Sequence, residues 1–154
     1  MPKIETCQSL DRMDGPHPIT GQDDGPFYEV VLGRADGLSQ FGVRLERLPP
    51  GSRSSHRHWH ESEDEFVFIV SGQVVLIEDE ETVLQAGDSA GWKTGTPVAR
   101  CLENRVDHDA VMLIAGTRSE QDVVHYPDHD LIFRKSRDGK QFTRGDGSSV
   151  ERQS

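Results

Sequence analysis

Three histidines, His56, His58 and His60, occupy alternate positions near the middle of the chain, and Glu65 follows after a spacer of four residues. Because a β-strand sends alternate side chains to the same face, this spacing predicts three imidazoles that point the same way. The apolar run at 66–70 follows directly and predicts a buried strand behind the cluster. Imidazoles and a carboxylate held against an apolar strand are typical of a metal site, and the alternative is a solvated histidine-rich loop.

This segment resembles the first motif of the cupin superfamily, usually written G-x5-H-x-H-x3-4-E-x6-G. The matching residues are His58-Trp-His60, four residues, Glu65, six residues and Gly72. Six residues rather than five separate Gly51 from His58, and a register on His56 and His58 would leave six residues before Glu65. The resemblance therefore implies that His58, His60 and Glu65 are the ligands and that His56 lies at the mouth of the site. In cupins these positions bind a divalent metal ion, often iron, manganese, nickel or zinc, inside a small β-barrel.

The second cupin motif, usually G-x5-P-x-G-x2-H-x3-N, is only partly present. Gly87 and Asn104 match it, but Lys93 stands in the place of the proline, and counting back four residues from Asn104 reaches Arg100 instead of the fourth histidine ligand. A guanidinium at that corner would repel a divalent cation and would favour a carboxylate or phosphate through bidentate hydrogen bonds. Alternatively, Arg100 pairs with Glu65 as a structural ion pair in a barrel that has lost its metal.

The elements that must position these residues are short strands. Apolar runs alternate with turn signals such as Leu48-Pro-Pro-Gly51, Ala86-Gly-Asp88 and Thr94-Gly-Thr-Pro97, and no amphipathic helix of ordinary length precedes the C-terminal segment. This pattern predicts an all-β sandwich or small barrel, and the resemblance makes it a double-stranded β-helix of the jelly-roll type. We expect an extended N-terminal arm at 1–26, the barrel at 27–118, and a C-terminal segment at 119–154 that packs on the barrel.

Length and charge limit the classes of function. The 154 residues suit one domain, and the net charge of −10 argues against a nucleic-acid partner. The sequence contains no run of about 18 apolar residues that would span a membrane, and its N-terminus lacks the apolar core of a signal peptide, so we expect a cytoplasmic protein. The two cysteines, Cys7 and Cys101, do not suggest a disulfide framework.

Several functions remain open for such a barrel. Two histidines and one carboxylate are enough to hold catalytic zinc or non-haem iron with open coordination positions. Further likeness to a bacterial single-domain cupin group, often labelled as uncharacterised or as sugar-phosphate isomerases, rests on Asp64-Glu-Phe66, Ala86-Gly-Asp88, Gly116-Thr-Arg118 and Tyr126-Pro-Asp128. It implies a metal-dependent isomerase for a small anionic substrate, with Arg100 on the anion and His56 as a proton shuttle. The alternatives are a cupin-type dioxygenase, a non-catalytic ligand-binding barrel with a degraded metal site, and a structural dimerisation unit.

The alternation around the buried strand also predicts a partner. If Glu65, Val67 and Ile69 face the interior, the outward positions are Phe66, Phe68 and Val70. A monomer seldom leaves two aromatic rings of this kind in water. We therefore expect a homodimer.

Overall fold

Thirteen strands carry most of the regular structure in residues 10–35 and 37–151, which are the residues that the computed structural model describes. They are β1 (Asp11–Met13), β2 (Phe27–Val31), β3 (Phe41–Leu48), β4 (Trp59–His60), β5 (Glu65–Ser71), β6 (Gln73–Ile77), β7 (Glu81–Gln85), β8 (Ser89–Trp92), β9 (Cys101–Glu103), β10 (Ala110–Thr117), β11 (Asp122–Tyr126), β12 (Leu131–Ser136) and β13 (Gly139–Thr143). One short helix, α1, spans Leu32–Ala35, and a 3₁₀ turn spans Pro127–His129. The predicted all-β class is confirmed.

The strands form three antiparallel sheets. Six strands pair in the order β1-β2-β3-β10-β5-β8, four in the order β13-β12-β11-β4, and three in the order β7-β6-β9. Strands distant in sequence, such as β3 and β10, are neighbours, which is the pairing of the double-stranded β-helix barrel expected from the sequence. In the described part of the chain, no helix is long and apolar enough to cross a bilayer.

The inner faces of the strands make one hydrophobic core. On β5, Val67 and Ile69 are 2% and 0% exposed, while Phe66 and Phe68, which alternate with them, are 43% and 36% exposed. Each fully buried aliphatic side chain of this kind contributes roughly 2 kcal/mol. The predicted alternation of the strand is therefore present, with the ligand candidate Glu65 on its inner face.

Strand register brings residues far apart in sequence into one line across the six-stranded sheet. Gly116 of β10 lies opposite Gly42 of β3 on one side and opposite Glu65 of β5 on the other. One step further along the strands, Ile114 lies opposite Arg44 and Val67. Two glycines therefore lie beside Glu65 on the inner face, and an arginine follows them.

The turn from β5 to β6 depends on Gly72. Its φ of 79° lies in the left-handed region, and a Cβ at this position would come within 2.6 Å of the carbonyl oxygen of Asp109. Only glycine fits this turn without displacing the chain before β10. The glycine that ends the first motif is thus a structural requirement of the turn at the end of β5 opposite to Glu65.

Strand pairing connects the predicted N-terminal arm and the predicted C-terminal segment with the barrel. The division of the chain into these three parts stays a prediction. β1 of the arm pairs with β2, and β11 of the C-terminal segment pairs with β4, which carries His60. β1, β11 and β13 were not among the strands expected from the sequence. Of the two cysteines, Cys101 is buried, and Cys7 lies outside the described residues.

Candidate metal centre and its cavity

Three ligand atoms converge between β5, which begins at Glu65, and the segment at 58–60 that ends in β4. The Nε2 atoms of His58 and His60 lie 4.0 and 3.6 Å from Oε2 of Glu65. Ligands bound at about 2.0–2.2 Å around a tetrahedral ion lie roughly 3.4 Å apart, so only a small contraction is needed to enclose one. The described residues also contain a second possible group, His60, Glu63 and Asp122, which shares one histidine with the first.

Hydrogen bonds fix which nitrogen of each histidine faces Glu65. Nδ1 of His60 donates to Oδ2 of Asp122 at 2.7 Å, and Nδ1 of His58 donates to the carbonyl oxygen of His56 at 2.8 Å. Since both Nδ1 atoms carry the proton, both Nε2 atoms keep their lone pairs. This arrangement of acceptors behind ligating imidazoles is the one found at metal centres, where it sets the tautomer and the ring orientation.

The protonation states of Glu65 and His58 suit a cation. Burial alone would raise the pKa of Glu65, but interaction with the imidazole of His58 in its protonated form and with the guanidinium of Arg100 lowers it below its ordinary value. Burial lowers the pKa of His58, so that this histidine is neutral near pH 7 and Arg100 is the cation that keeps Glu65 ionised. An ionised carboxylate and neutral imidazoles are the ligand forms that bind a divalent metal. The residues therefore fit such an ion.

Arg100 lies inside the barrel, where the count back from Asn104 had put it. Its side chain is 3% exposed, its Nε donates to Oε1 of Glu65 at 3.4 Å, and its guanidinium lies 4.8 Å from the ring centre of Trp92. Nη1 donates to the carbonyl oxygen of Val98 at 3.4 Å. Arg100 thus forms the ion pair with Glu65 that the sequence analysis kept as the alternative, and it engages the oxygen that does not face the histidines.

His56 does not share the position of the other two histidines. The strand begins only at Trp59, residues 54–57 form bends, and the expectation of one common face is wrong for His56. Its Nδ1 contacts Oδ2 of Asp24 and its Nε2 lies 2.7 Å from Oγ1 of Thr20, both in the N-terminal arm. His129 stacks on the ring with 4.5 Å between centres.

Because of these contacts, His56 does not lie at the mouth of the site, where a proton shuttle was expected from the sequence. The residue is 4% exposed and does not line the cavity that contains His58 and His60. The arm buries it because a histidine with two polar partners can be enclosed without leaving unsatisfied nitrogens. Its backbone carbonyl still serves the centre by accepting the proton of His58.

Asp122 is a site residue that the sequence analysis missed. It is 3% exposed, and besides accepting from His60 it accepts the backbone N–H of Ser62 through Oδ1 at 3.0 Å. The alternation of Asp122, Val124 and Tyr126 along β11 was the available signal for a strand with one buried face. That signal gave no indication that the strand pairs with β4.

A cavity of about 410 Å³ opens beside the three ligands. This volume is within the usual range for small-molecule sites, roughly 300–1,000 Å³. Its lining is strongly charged and consists of Glu29, Val31, Arg34, Gly42, Val43, Arg44, His58, His60, Glu63, Asp64, Glu65, Ile114, Ala115, Gly116, Thr117 and Arg118. The centre can therefore be reached by a small polar molecule.

The comparisons with known proteins agree with this architecture. A family model described as "Cupin domain" matches residues 44–116. The chain is similar to a sugar phosphate isomerase from a cupin superfamily of Silicibacter pomeroyi DSS-3, with 36% sequence identity, a TM-score of 0.85, and 97% of each chain covered. No curated protein matches the sequence.

Two further solved structures extend this likeness. A proposed sugar phosphate isomerase from Acidithiobacillus ferrooxidans ATCC 23270 is 27% identical, with a TM-score of 0.76 over 83% of this chain and 82% of that one. A predicted oxalate decarboxylase from Thermotoga maritima is 20% identical, with a TM-score of 0.61 over 76% of this chain and 99% of that one, and it shows the fold alone.

Proposed function

The chain belongs to the cupin superfamily, and from that premise we propose that it is a divalent-metal-dependent isomerase of a small sugar phosphate. The observation that carries the proposal is the convergence of the two Nε2 atoms on Oε2 of Glu65 at the wall of a charged cavity. The likeness to two structures named as sugar phosphate isomerases supports the reaction class.

His58, His60 and Glu65 would hold the ion, which supplies a Lewis acid that polarises the carbonyl of the sugar. Arg100 keeps Glu65 ionised and occupies the corner at which other cupins place a fourth ligand. Asp122 and the carbonyl of His56 hold the two imidazoles in the ligating tautomer. These residues bind and orient, and they leave the open side of the centre toward the cavity.

Isomerisation also needs a group that moves a proton between adjacent carbons, and two carboxylates of the cavity wall are available. Glu29 and Asp64 line the cavity, and Asp64 accepts one hydrogen bond through Oδ1, from the backbone N–H of Thr94 at 2.6 Å. The third, Glu63, accepts two through Oε1, from Lys135 at 2.9 Å and from the backbone N–H of Ser119 at 3.0 Å. One of the first two carboxylates would be the catalytic base, and its replacement, by Glu29→Gln or by Asp64→Asn, is expected to lower kcat by at least about 100-fold. The metal content should remain unchanged in both variants.

The test begins with metal analysis of protein purified without chelator and without nickel affinity resin. Zinc or manganese near one equivalent, together with interconversion of an aldose phosphate and a ketose phosphate followed by proton NMR, is the expected result. Iron with oxygen consumption would favour the dioxygenase instead. A metal-free protein that does not take up zinc or manganese would overturn the proposal.

A ligand-binding barrel without catalysis is the second candidate, and Arg100 is the observation that favours it. An arginine in ion pair with Glu65 competes with a cation for the same carboxylate. In that case, sugar phosphates would bind to the protein with the same affinity before and after treatment with a chelator. A loss of binding or turnover on chelation would speak for the isomerase.

We also propose a homodimer that packs through the outer face of the six-stranded sheet. Phe66, Phe68 and Val70 of β5 are 43%, 36% and 48% exposed, and Phe41 of β3 is 45% exposed. An apolar face of this kind is typical of subunit interfaces. Light scattering should give twice the chain mass of 17.2 kDa at micromolar concentration, and Phe66→Lys should shift it to the monomer. A 17.2 kDa particle for the unaltered chain would contradict the dimer.

A further inference from the structure

Arg44 is a cavity cation with incompletely used hydrogen-bonding capacity. It lies on the inner face of β3, and its Nε is 3.4 Å from Oε2 of Glu46 and 3.7 Å from Oε2 of Glu29. Both distances exceed the 2.7–2.9 Å that is typical of charge-assisted hydrogen bonds. Burial raises the pKa of Glu46 to about 7, so that this carboxyl balances only part of the arginine charge near neutral pH.

A second arginine, Arg118, lines the same cavity. Its Nη1 donates to the carbonyl oxygen of Leu38 at 3.2 Å, and its Nε lies 3.6 Å from the point that a Cβ on Gly42 would occupy. Gly42 is two residues before Arg44 on the same strand face, about 7 Å away. The two guanidinium groups therefore belong to neighbouring positions of the cavity wall.

The floor between these arginines is backbone. Gly42 and Gly116 are paired across β3 and β10, and both line the cavity next to Glu65. A Cβ on Gly116 would come within 2.7 Å of the carbonyl oxygen of Asp64, so this position requires glycine. A ligand can thus approach the sheet closely at a point that lies beside the metal ligands.

Arg100, the anion-binding residue expected from the sequence, is poorly placed for this role. Its side chain is 3% exposed, against 44% for Arg44, and its guanidinium lies over the ring of Trp92 while Nε and Nη1 contact Glu65 and Val98. Arg100 is also absent from the lining of the 410 Å³ cavity, which Arg44 and Arg118 both line, and it lines only a smaller one of about 70 Å³ beside His58 and Glu65. Of the cavity-lining arginines, Arg34, Arg44 and Arg118, the last two are the ones placed at the glycine floor beside Glu65.

We infer that Arg44 and Arg118 form an anion subsite that holds the phosphate group of the substrate over the floor of Gly42 and Gly116. The orientation of that substrate, with its carbonyl end toward His58, His60 and Glu65, rests on the proposed function. The subsite itself does not, because it binds any small tetrahedral anion. Two guanidinium groups supply forked donors of the geometry that phosphate oxygens accept.

The experiment is calorimetric titration of the full-length protein with inorganic phosphate at pH 7, before and after chelation. The variants are Arg44→Lys, which retains the charge beside Glu46 but loses the fork, and Arg118→Gln, which changes an exposed side chain. Each is expected to weaken phosphate binding by about tenfold or more, the size of one lost charge-assisted hydrogen bond. The matched control is Arg47→Gln on the outer face of β3, which should bind phosphate as the unaltered protein does.

Phosphate binding that is unchanged in Arg44→Lys and Arg118→Gln, or that is lost in Arg100→Gln alone, would overturn the inference. Circular dichroism and the melting temperature of each variant show whether it is folded, and Arg118→Gln decides the matter if Arg44→Lys is unstable. A protein that binds phosphate through these arginines but isomerises no sugar phosphate would retain the subsite and refute the proposed function. If both variants isomerise a sugar phosphate with the KM of the unaltered protein, the proposed function stands and the subsite is refuted.

Discussion

Two arginine–glutamate pairs lie in the same barrel with the same separation, but the pKa values of their carboxyl groups are shifted in opposite directions. Nε of Arg100 is 3.4 Å from Glu65, and Nε of Arg44 is 3.4 Å from Glu46. The pKa of Glu65 is lowered, whereas that of Glu46 is raised to about 7. The distance between the charges therefore does not decide the state of the carboxylate.

The difference follows from what surrounds each carboxylate. Burial acts to raise the pKa of both, but Glu65 has two imidazoles beside its second oxygen, whereas Oε1 of Glu46 is buried without a hydrogen-bond partner. Glu46 is also only 1% exposed and lies near the negative charges of Glu29 and Glu65. The carboxylate of Glu65 therefore stays ionised near neutral pH, whereas the carboxyl group of Glu46 keeps its proton up to about pH 7.

The largest expected effect is on the Glu65 pair. Glu65→Gln removes the only carboxylate among the three ligands and leaves two imidazoles beside a guanidinium. Metal affinity should fall by more than about 100-fold, because even outer partners of a metal ligand contribute 10- to 100-fold. Titration with zinc measures this, and Glu46→Gln is the control that should bind zinc as before. Equal zinc affinities of Glu65→Gln and Glu46→Gln would show that the two carboxyl groups do not differ in metal binding.

The second effect is on stability and its pH dependence. The folded protein holds the Glu46 proton up to about pH 7, whereas the unfolded chain releases it near the ordinary value of 4.5. Because the folded state binds the proton more tightly, the free energy of unfolding falls as the pH rises from 4.5 to 7. The full cost of the shift, about 3 kcal/mol, is present above that window.

Glu46→Gln carries no proton to lose, so it should be more stable than the unaltered protein by about 3 kcal/mol at pH 8. The gain should vanish near pH 4.5. Urea unfolding at several pH values gives both numbers. A gain that does not depend on pH would mean that the carboxylate is ionised in the fold, like Glu65.

A smaller effect tests the histidine side of the Glu65 pair. Asp122→Asn keeps the shape of the residue but replaces the charged acceptor of the His60 proton with an amide. Metal affinity should fall by about 10-fold, at the lower end of the range for such partners. Asp128→Asn, on the exposed ion pair with Arg57, is a matched control that should leave the affinity unchanged. Identical zinc binding in both variants would show that Asp122 only supports the fold.

The smallest effect concerns Arg100 itself. Arg100→His removes the positive charge beside Glu65 and adds an imidazole, so the affinity for zinc or manganese should rise several-fold. Arg100→Ala removes the charge alone and should raise the affinity less. Calorimetric titration of the three proteins ranks them. If they bind metal alike, the guanidinium beside Glu65 does not compete with the cation.

The sequence predicts local features of this molecule better than the contacts between distant segments. The alternation on β5 follows from spacing within a short stretch, and the inward position of Arg100 follows from the count within the second motif. The resemblance to the cupin motifs selects His58, His60 and Glu65, whose ligand atoms the structure brings together.

What the sequence missed arises from pairing at long range. His56 has the same spacing as its neighbours, but Thr20 and Asp24 of the arm enclose it. Asp122 reaches His60 only because β11 pairs with β4, across some sixty residues of chain. Neither contact has a signature within the segment itself, because a partner of this kind is chosen by topology and not by local propensity.

Trp92, whose ring lies beneath Arg100, can serve as an intrinsic fluorescence probe of the centre. The chain has two tryptophans: Trp92 donates to Glu78 at 2.6 Å under the guanidinium, and Trp59 is stacked on His125 with 4.2 Å between ring centres. Indole emission responds to nearby charge, so a cation that draws Glu65 away from Arg100 should change the fluorescence of Trp92. Trp59→Phe would isolate that signal, and occupancy of the centre could then be followed in solution without a label.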